Sequence, residues 1–251
     1  MSKLTAVGLL LFALFFAVPA FAIDGQVLIS QATVMAAGGF PYKITQPGSY
    51  KLSGNLVVPA NTDGIDIMSD DVTLDLNGFD INGPVTCTGS GRTISCSGST
   101  SGYGVKSSNS NIAVKNGSVT GMFAGLELTG TLGRVEEMSA YQNRSSGISV
   151  TAGIVRRCAS NMNGGNGISL GSGVVEENVS DNNGAYGFLV LYGPATVIGN
   201  EASNNSVYGL RSDNSVFGSN AFFGNGFGDV DTVDGGGSKS QDNNICTDTA
   251  C

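Results

Sequence analysis

A short unit that returns at nearly constant spacing constrains this chain more than any other feature. Gly147-Ile148-Ser149-Val150 recurs as Gly167-Ile168-Ser169-Leu170, Gly187-Phe188-Leu189-Val190 and Gly209-Leu210-Arg211-Ser212, at intervals of twenty, twenty and twenty-two. The same unit can be followed backward through Gly125-Leu126-Glu127-Leu128, Gly104-Val105 and Gly64-Ile65-Asp66-Ile67, the last step being close to twice the period. Self-similarity at a period of this length decides the architecture before local propensity is considered. Three further columns keep the same register: Val135, Val155, Val175, Val197 and Phe217; Asn143, Asn163, Asn183, Asn205 and Asn225; Met138, Cys158, Asn178, Asn200 and Asn220. Apolar-alternating segments divided by Gly, Ser and Asn read as strands and turns. A chain that returns to the same column every coil is winding, and its units bury their apolar side only against neighbours. The expected fold is therefore all-β, a single-stranded parallel β-helix of about eight coils. At ~4.8 Å per stacked strand that is a rod of roughly 38 Å. Coils of this length, with no six-residue beat, fit right-handed winding rather than the left-handed hexapeptide type.

The Asn columns have a physical reason. A side-chain amide can donate to its equivalent on one neighbouring coil and accept from the other, and Asn tolerates the left-handed backbone of tight turns. Stacked amide ladders are expected. Glu136, Arg156 and Glu176 align on successive coils, as do Glu137, Arg157 and Glu177, which predicts two ladders of surface ion pairs.

Residues 1–22 read as a secretory signal peptide: Lys3, the apolar run Val7 to Val18, and Ala20-Phe21-Ala22 as a small-x-small cleavage site. The apolar run is too short for a spanning helix. Cleavage near Ala22 removes one of 12 basic residues and no acid, leaving 11 against 20 and a net charge of −9. A secreted or periplasmic acidic protein follows, with no membrane span and no nucleic-acid partner. Residues 23–43 are expected to cap the solenoid, with a short helix over Gln26 to Ala37 laying Val27, Leu28, Val34 and Met35 on the first coil. With both ends capped, a monomer is expected. Residues 44–227 form the β-helix, interrupted by a Gly/Ser/Thr-rich insertion at 84–102, and 228–251 form a tail.

Ile44-Thr-Gln-Pro-Gly-Ser-Tyr-Lys-Leu-Ser-Gly-Asn-Leu56, then Gly64-Ile-Asp-Ile67, then Asp71-Val-Thr-Leu-Asp-Leu-Asn-Gly-Phe79 resembles exported bacterial right-handed β-helix repeat proteins of the broad pectate-lyase-like superfamily. The resemblance covers the chain beyond the signal peptide and implies the fold. The subgroup most similar has no assigned activity. In the superfamily, substrates generally lie along the first-strand face. The resemblance thereby directs attention to Asp66, Lys106, Glu127, Ser149, Ser169, Leu189 and Arg211 as outward positions on that face.

Tyr103, Tyr186 and Tyr208 each precede a repeat glycine, and a tyrosine row can stack on sugar rings. Lys106 and Arg211 could meet sugar carboxylates. Asp66, Lys106, Glu127, Tyr186, Tyr208 and Arg211 are the candidate ligand-binding residues, for a polysaccharide or cell-surface component. Calcium-dependent lyase chemistry wants a carboxylate cluster and a base, and hydrolase chemistry wants paired carboxylates. Asp70-Asp71 is the only adjacent acidic pair weighed for such chemistry and reads as a turn. Asp229-Val-Asp231-Thr-Val-Asp234 departs from a calcium-loop pattern, with Ser240 where a bidentate Glu belongs, and reads as a flexible acidic link. No catalytic residue, metal or cofactor is assigned. A non-catalytic glycan-binding or structural module is expected, and a polysaccharide lyase or glycoside hydrolase is the alternative.

In an exported chain, Cys87 with Cys96 and Cys246 with Cys251 are expected to form two local disulfides. Cys158 occupies the column of Met138 and Asn178 and is expected to be a buried free thiol.

Overall fold

A computed structural model describes residues 25–98, 101–232, 237–241 and 243–247; the expected signal peptide lies outside them. The chain winds as a parallel β-helix of about 10 turns with almost no helix. Three stacks of parallel strands make its walls. The first face stacks Tyr42–Ile44, Ile65–Ile67, Tyr103–Ser107, Ala124–Leu128 and the repeat strands that follow, ending in Gly228–Thr232. The second starts at Gln26–Ile29 on Gly48–Leu52 and continues to Lys239–Ser240. The third runs from Leu56–Val57 on Asp80–Asn82 to Ile245–Cys246.

Register follows the repeat columns residue for residue. Val135 pairs with Val155, Val155 with Val175, Val175 with Val197 and Val197 with Phe217, and none is more than 2% exposed. Burying each valine contributes about 1.5–3 kcal/mol, realised only because the next coil covers it.

Two turns per coil are made the same way. Asn116, Glu137, Arg157, Glu177, Gly199 and Ser219 hold φ between 51° and 67° at the corner between second and third faces. Gln142, Met162, Asn182, Asn204 and Gly224 hold φ between 53° and 60° at the end of the third. A single left-handed residue turns the strand and aims the next side chain inward, where the ladders lie. Asn143, Asn163, Asn183, Asn205 and Asn225 are linked Nδ2 to Oδ1 at 2.9 to 3.0 Å. Asn178, Asn200, Asn220 and Asn244 form the second ladder at 3.0 to 3.1 Å. Buried amides persist here because they also donate to strand carbonyls, as Asn183 Nδ2 donates to Ser160 O at 2.9 Å. One ion-pair ladder forms, Arg156 reaching Glu136 at 3.0 Å and Glu176 at 3.9 Å; of the second, only the rung from Arg157 to Glu137, at 3.0 Å, is present among the described residues.

Four regions differ from expectation. The coil count exceeds eight because winding starts in the segment expected as a cap: Gln26–Ile29 lies on the second face and Tyr42–Ile44 on the first. The expected helix over Gln26 to Ala37 is split. Gln26–Ile29 pairs with the strand beneath it, because an outermost layer satisfies its backbone better as a strand than as a short helix. The helix is Gln31–Ala36, capped by Ser30, and only its Val34 plugs the end; Val27, Leu28 and Met35 stay exposed.

The insertion is an ordered antiparallel hairpin, Thr86–Thr88 on Ser95–Ser97, closed by the Cys87–Cys96 disulfide. It lies along the helix axis over the third-face turns. Gln142 Nε2 donates to Cys87 O at 3.3 Å, and the Arg92 guanidinium sits 5.8 Å from the Phe227 ring. Gly164 and Gly226 make room for it: a Cβ on either would come within 3.0 Å of Cys96 Sγ or 2.7 Å of Arg92 Nε.

Finally, the acidic segment is not a loose link. Gly228–Thr232 adds a first-face strand, and buried Asp229 ends the Asn ladder by accepting from Asn225 Nδ2 at 3.1 Å and Thr247 N at 2.7 Å. Asp231 points outward to Arg211 instead, and Asp234 and Cys251 lie outside the described residues.

Candidate functional site

The outward positions of the first face form one continuous row. Lys43, Asp66, Lys106, Glu127, Ser149, Ser169, Leu189, Arg211 and Asp231 sit on successive layers in direct register. Their neighbours point inward, as in Ile65-Asp66-Ile67, where both isoleucines are buried and Asp66 is half-exposed. The six candidate residues nonetheless fall into two groups. Glu127 and Arg211 are four layers apart, about 19 Å at ~4.8 Å per layer.

The first group is Asp66, Lys106 and Glu127, around a shallow depression of 230 Å³. Asp63 organises it, accepting from Lys106 Nζ at 2.7 Å and from the Tyr103 backbone N–H at 2.8 Å. The hydrogen bond from Lys106 to Asp63 holds the ammonium above the ordinary lysine range. Burial, and then Glu127 alongside, push the Tyr103 hydroxyl up as well. Lys106 is thus a spoken-for cation and protonated at neutral pH.

The second group is Tyr186, Tyr208 and Arg211. The two tyrosine rings stack with centroids 6.4 Å apart and planes 8° from parallel, and Phe227 continues the row 6.3 Å beyond. The rings turn their faces along the axis toward one another. Each ring thus spends part of a face on its neighbour, and the Arg211 guanidinium lies over the Tyr186 ring, 5.8 Å from its centroid. Arg211 donates to Tyr186 Oη at 3.2 Å and pairs with Asp231 at 3.0 Å, so it too is engaged; the Tyr186 hydroxyl and the charge of Asp231 raise its pKa further. Tyr103 belongs to a separate aromatic pair, 5.9 Å edge-on to Phe123.

Between the groups the face is small and uncharged. Ser149, Ser169 and Leu189 open sideways, toward the corner with the second face, into a depression of 330 Å³ that also takes in Thr151, Ser172 and Tyr192. Tyr192 is 92% exposed and holds φ 84°. Sequence reasoning passed over it because it sits in a turn, outside every repeat column. Its only signal was an aromatic side chain in a Leu-Tyr-Gly-Pro turn, where nothing in the core needs one.

Among the described residues, no three His, Cys, Asp or Glu side chains converge as metal donors. Asp70 and Asp71 are turn formers: Asp71 holds φ 58° and accepts from Asn111 Nδ2 at 2.6 Å, and Asp70 accepts from the Ser110 N–H at 2.8 Å. Among the described residues, no helix is long and apolar enough to cross a membrane.

No protein family and no curated protein matches the sequence. Among solved structures, the chain is similar to the A-module of the Azotobacter vinelandii mannuronan C-5 epimerase AlgE4, at 12% identity over 78% of this chain and 72% of that one, with a TM-score of 0.47. It is also similar to the Dettilon tailspike protein (gp208), at 14% identity over 85% of this chain and 57% of that one, with a TM-score of 0.48. The chain thus spans little more than half of the tailspike. Likeness at this level concerns the winding of the backbone alone.

Proposed function

We propose that this is an exported, non-catalytic β-helix module that binds a glycan on its first face. One observation carries the reading: the central stretch, where Ser149, Ser169, Thr151 and Ser172 surround a concave surface beside the open ring of Tyr192. Hydroxyl-lined concavities with an exposed aromatic suit a ligand that is itself half hydroxyl and half apolar ring. Export agrees with the Cys87–Cys96 disulfide, of a kind that forms and persists in oxidising compartments.

The alternative, a lyase or hydrolase, draws on Asp66 and Glu127 flanking Lys106 on adjacent layers. A lyase base must be deprotonated at the working pH, and Asp63 holds Lys106 in the opposite state. Affinity electrophoresis through gels containing polysaccharides tests binding, and reducing-end and unsaturated-uronate assays on the same panel test turnover. Retardation without turnover is expected. Turnover lost in Glu127→Gln would replace this reading with the enzymatic one, and the absence of retardation by any polymer would leave a structural rod.

A further inference from the structure

The repeat spacing contains a second message. The inward second-face residue stands ten positions after the first-face glycine in two coils, Gly125 to Val135 and Gly187 to Val197. In the two coils between them, Gly147 to Val155 and Gly167 to Val175, it stands only eight positions on. The remaining path, from that residue to the ladder Asn, is the same in all four, as from Val135 to Asn143 and from Val197 to Asn205. The whole difference therefore falls at the corner between first and second faces. The short coils run straight through it as the unbroken strands Ile148–Arg156 and Ile168–Glu176. The long coils bulge on either side, with Leu132 at φ 58° and 66% exposed, and Tyr192 at φ 84° and 92% exposed.

The result is a notch that crosses the corner. Its walls are three layers, about 14 Å, apart. Its floor is lowest at Ala152-Gly153 and Ser172-Gly173, where the side chains are small or missing, with Thr151, Ile154 and Val174 beside them. Depressions of 330 and 430 Å³ occupy its two ends, one on each face. Among the described residues, the only charged side chain lining either is Arg134, which donates to Asn111 Oδ1 at 3.3 Å. In a chain of net charge −8, such a lining suits an uncharged partner and offers little to a uronate polymer.

We infer that this notch is a binding site for an uncharged saccharide chain, which crosses the helix axis from the first face onto the second, gripped between Tyr192 and Leu132 over that floor. The inference rests on the glycan reading above and adds to it the place, the direction and the charge class of the ligand.

The test is affinity electrophoresis of the full chain in gels containing neutral polymers (a β-glucan, a mannan, a xylan and a galactan) or polygalacturonate. Tyr192→Gly and Leu132→Gly remove the walls where glycine relieves a left-handed backbone, so folding is kept, and far-UV circular dichroism checks it. Expected is retardation by a neutral polymer, weakened about tenfold in Tyr192→Gly and unchanged in Tyr141→Ala, on the third face. Weakening in Tyr208→Ala but not in Tyr192→Gly would overturn the notch and leave the first-face reading standing. Tighter retention by polygalacturonate than by every neutral polymer would overturn the uncharged class. No retardation of the wild type would overturn both.

Discussion

Replacing Asn183 with alanine is the sharpest test of what holds the coils together. Its Nδ2 lies 2.9 Å from Asn205 Oδ1, 2.9 Å from Ser160 O and 3.1 Å from Ser180 Oγ, and two amide hydrogens serve these three. Its Oδ1 accepts from the Asn163 amide at 3.0 Å and from the Asn163 backbone N–H at 3.1 Å. The residue is 0% exposed, so water replaces none of these bonds. Four buried hydrogen bonds at about 1 kcal/mol each, with a backbone N–H left unpaired, give a loss of about 4–6 kcal/mol. Asn166→Ala is the control. Asn166 is half-exposed, donating to Ser169 Oγ at 3.2 Å and accepting from the Tyr186 N–H at 3.3 Å, and its loss should be under about 1 kcal/mol. Urea unfolding followed by far-UV circular dichroism measures both. Equal losses would refute the idea that the amide stack, rather than valine burial alone, fixes the coils in register.

Val175→Asp should unfold the central coils, whereas Ser169→Asp, on the outward row, should cost under about 1 kcal/mol; similar melting temperatures for the two would reverse the inside and outside of the strand. Burial pushes the Cys158 thiol from 9.0 up to about 12. The unfolded chain therefore ionises first, and stability that is whole below pH 9 should fall as pH rises from about 9 toward 12. Cys158→Ala should flatten that decline, measured as urea midpoints between pH 8 and 11, and an undiminished slope would refute the cause. Lys106→Gln removes a 2.7 Å pair with Asp63 that is partly open to solvent, and should lower stability by only about 0.2–1 kcal/mol in the same assay.

The winding was legible because side chains of one kind recur in one column. Val135, Val155 and Val175 announce an inward position, and the Asn columns announce the turns. The row from Asp66 to Arg211 was legible for the same reason, since alternation fixes which residues face out. What those residues touch was not. Lys106 is engaged by Asp63, which lies in a turn, and Arg211 by Asp231, which had been placed in a link beyond the helix. Tyr186 and Tyr208 were visible as a column, but only coordinates show that their faces cover each other. Tyr192 and Leu132 sit in turns, where periodicity is silent, although the two extra residues of their coils fall there.

A solenoid stacked only through adjacent layers frays from its ends, one layer at a time, because each unit answers to its immediate neighbours. The stapled hairpin at Cys87–Cys96 breaks that rule. It leaves the wall beside Gly121 and is fixed near Asn143 and again at Phe227, bridging layers that lie far apart in sequence. Peeling the layer of Phe227 requires Arg92 of the clasp to let go of that ring, and opening the layers beneath pulls on the same clasp. Denaturation of this stretch should therefore be a single concerted event in oxidising buffer, and should separate into steps once a reductant cuts the sulfur–sulfur bond.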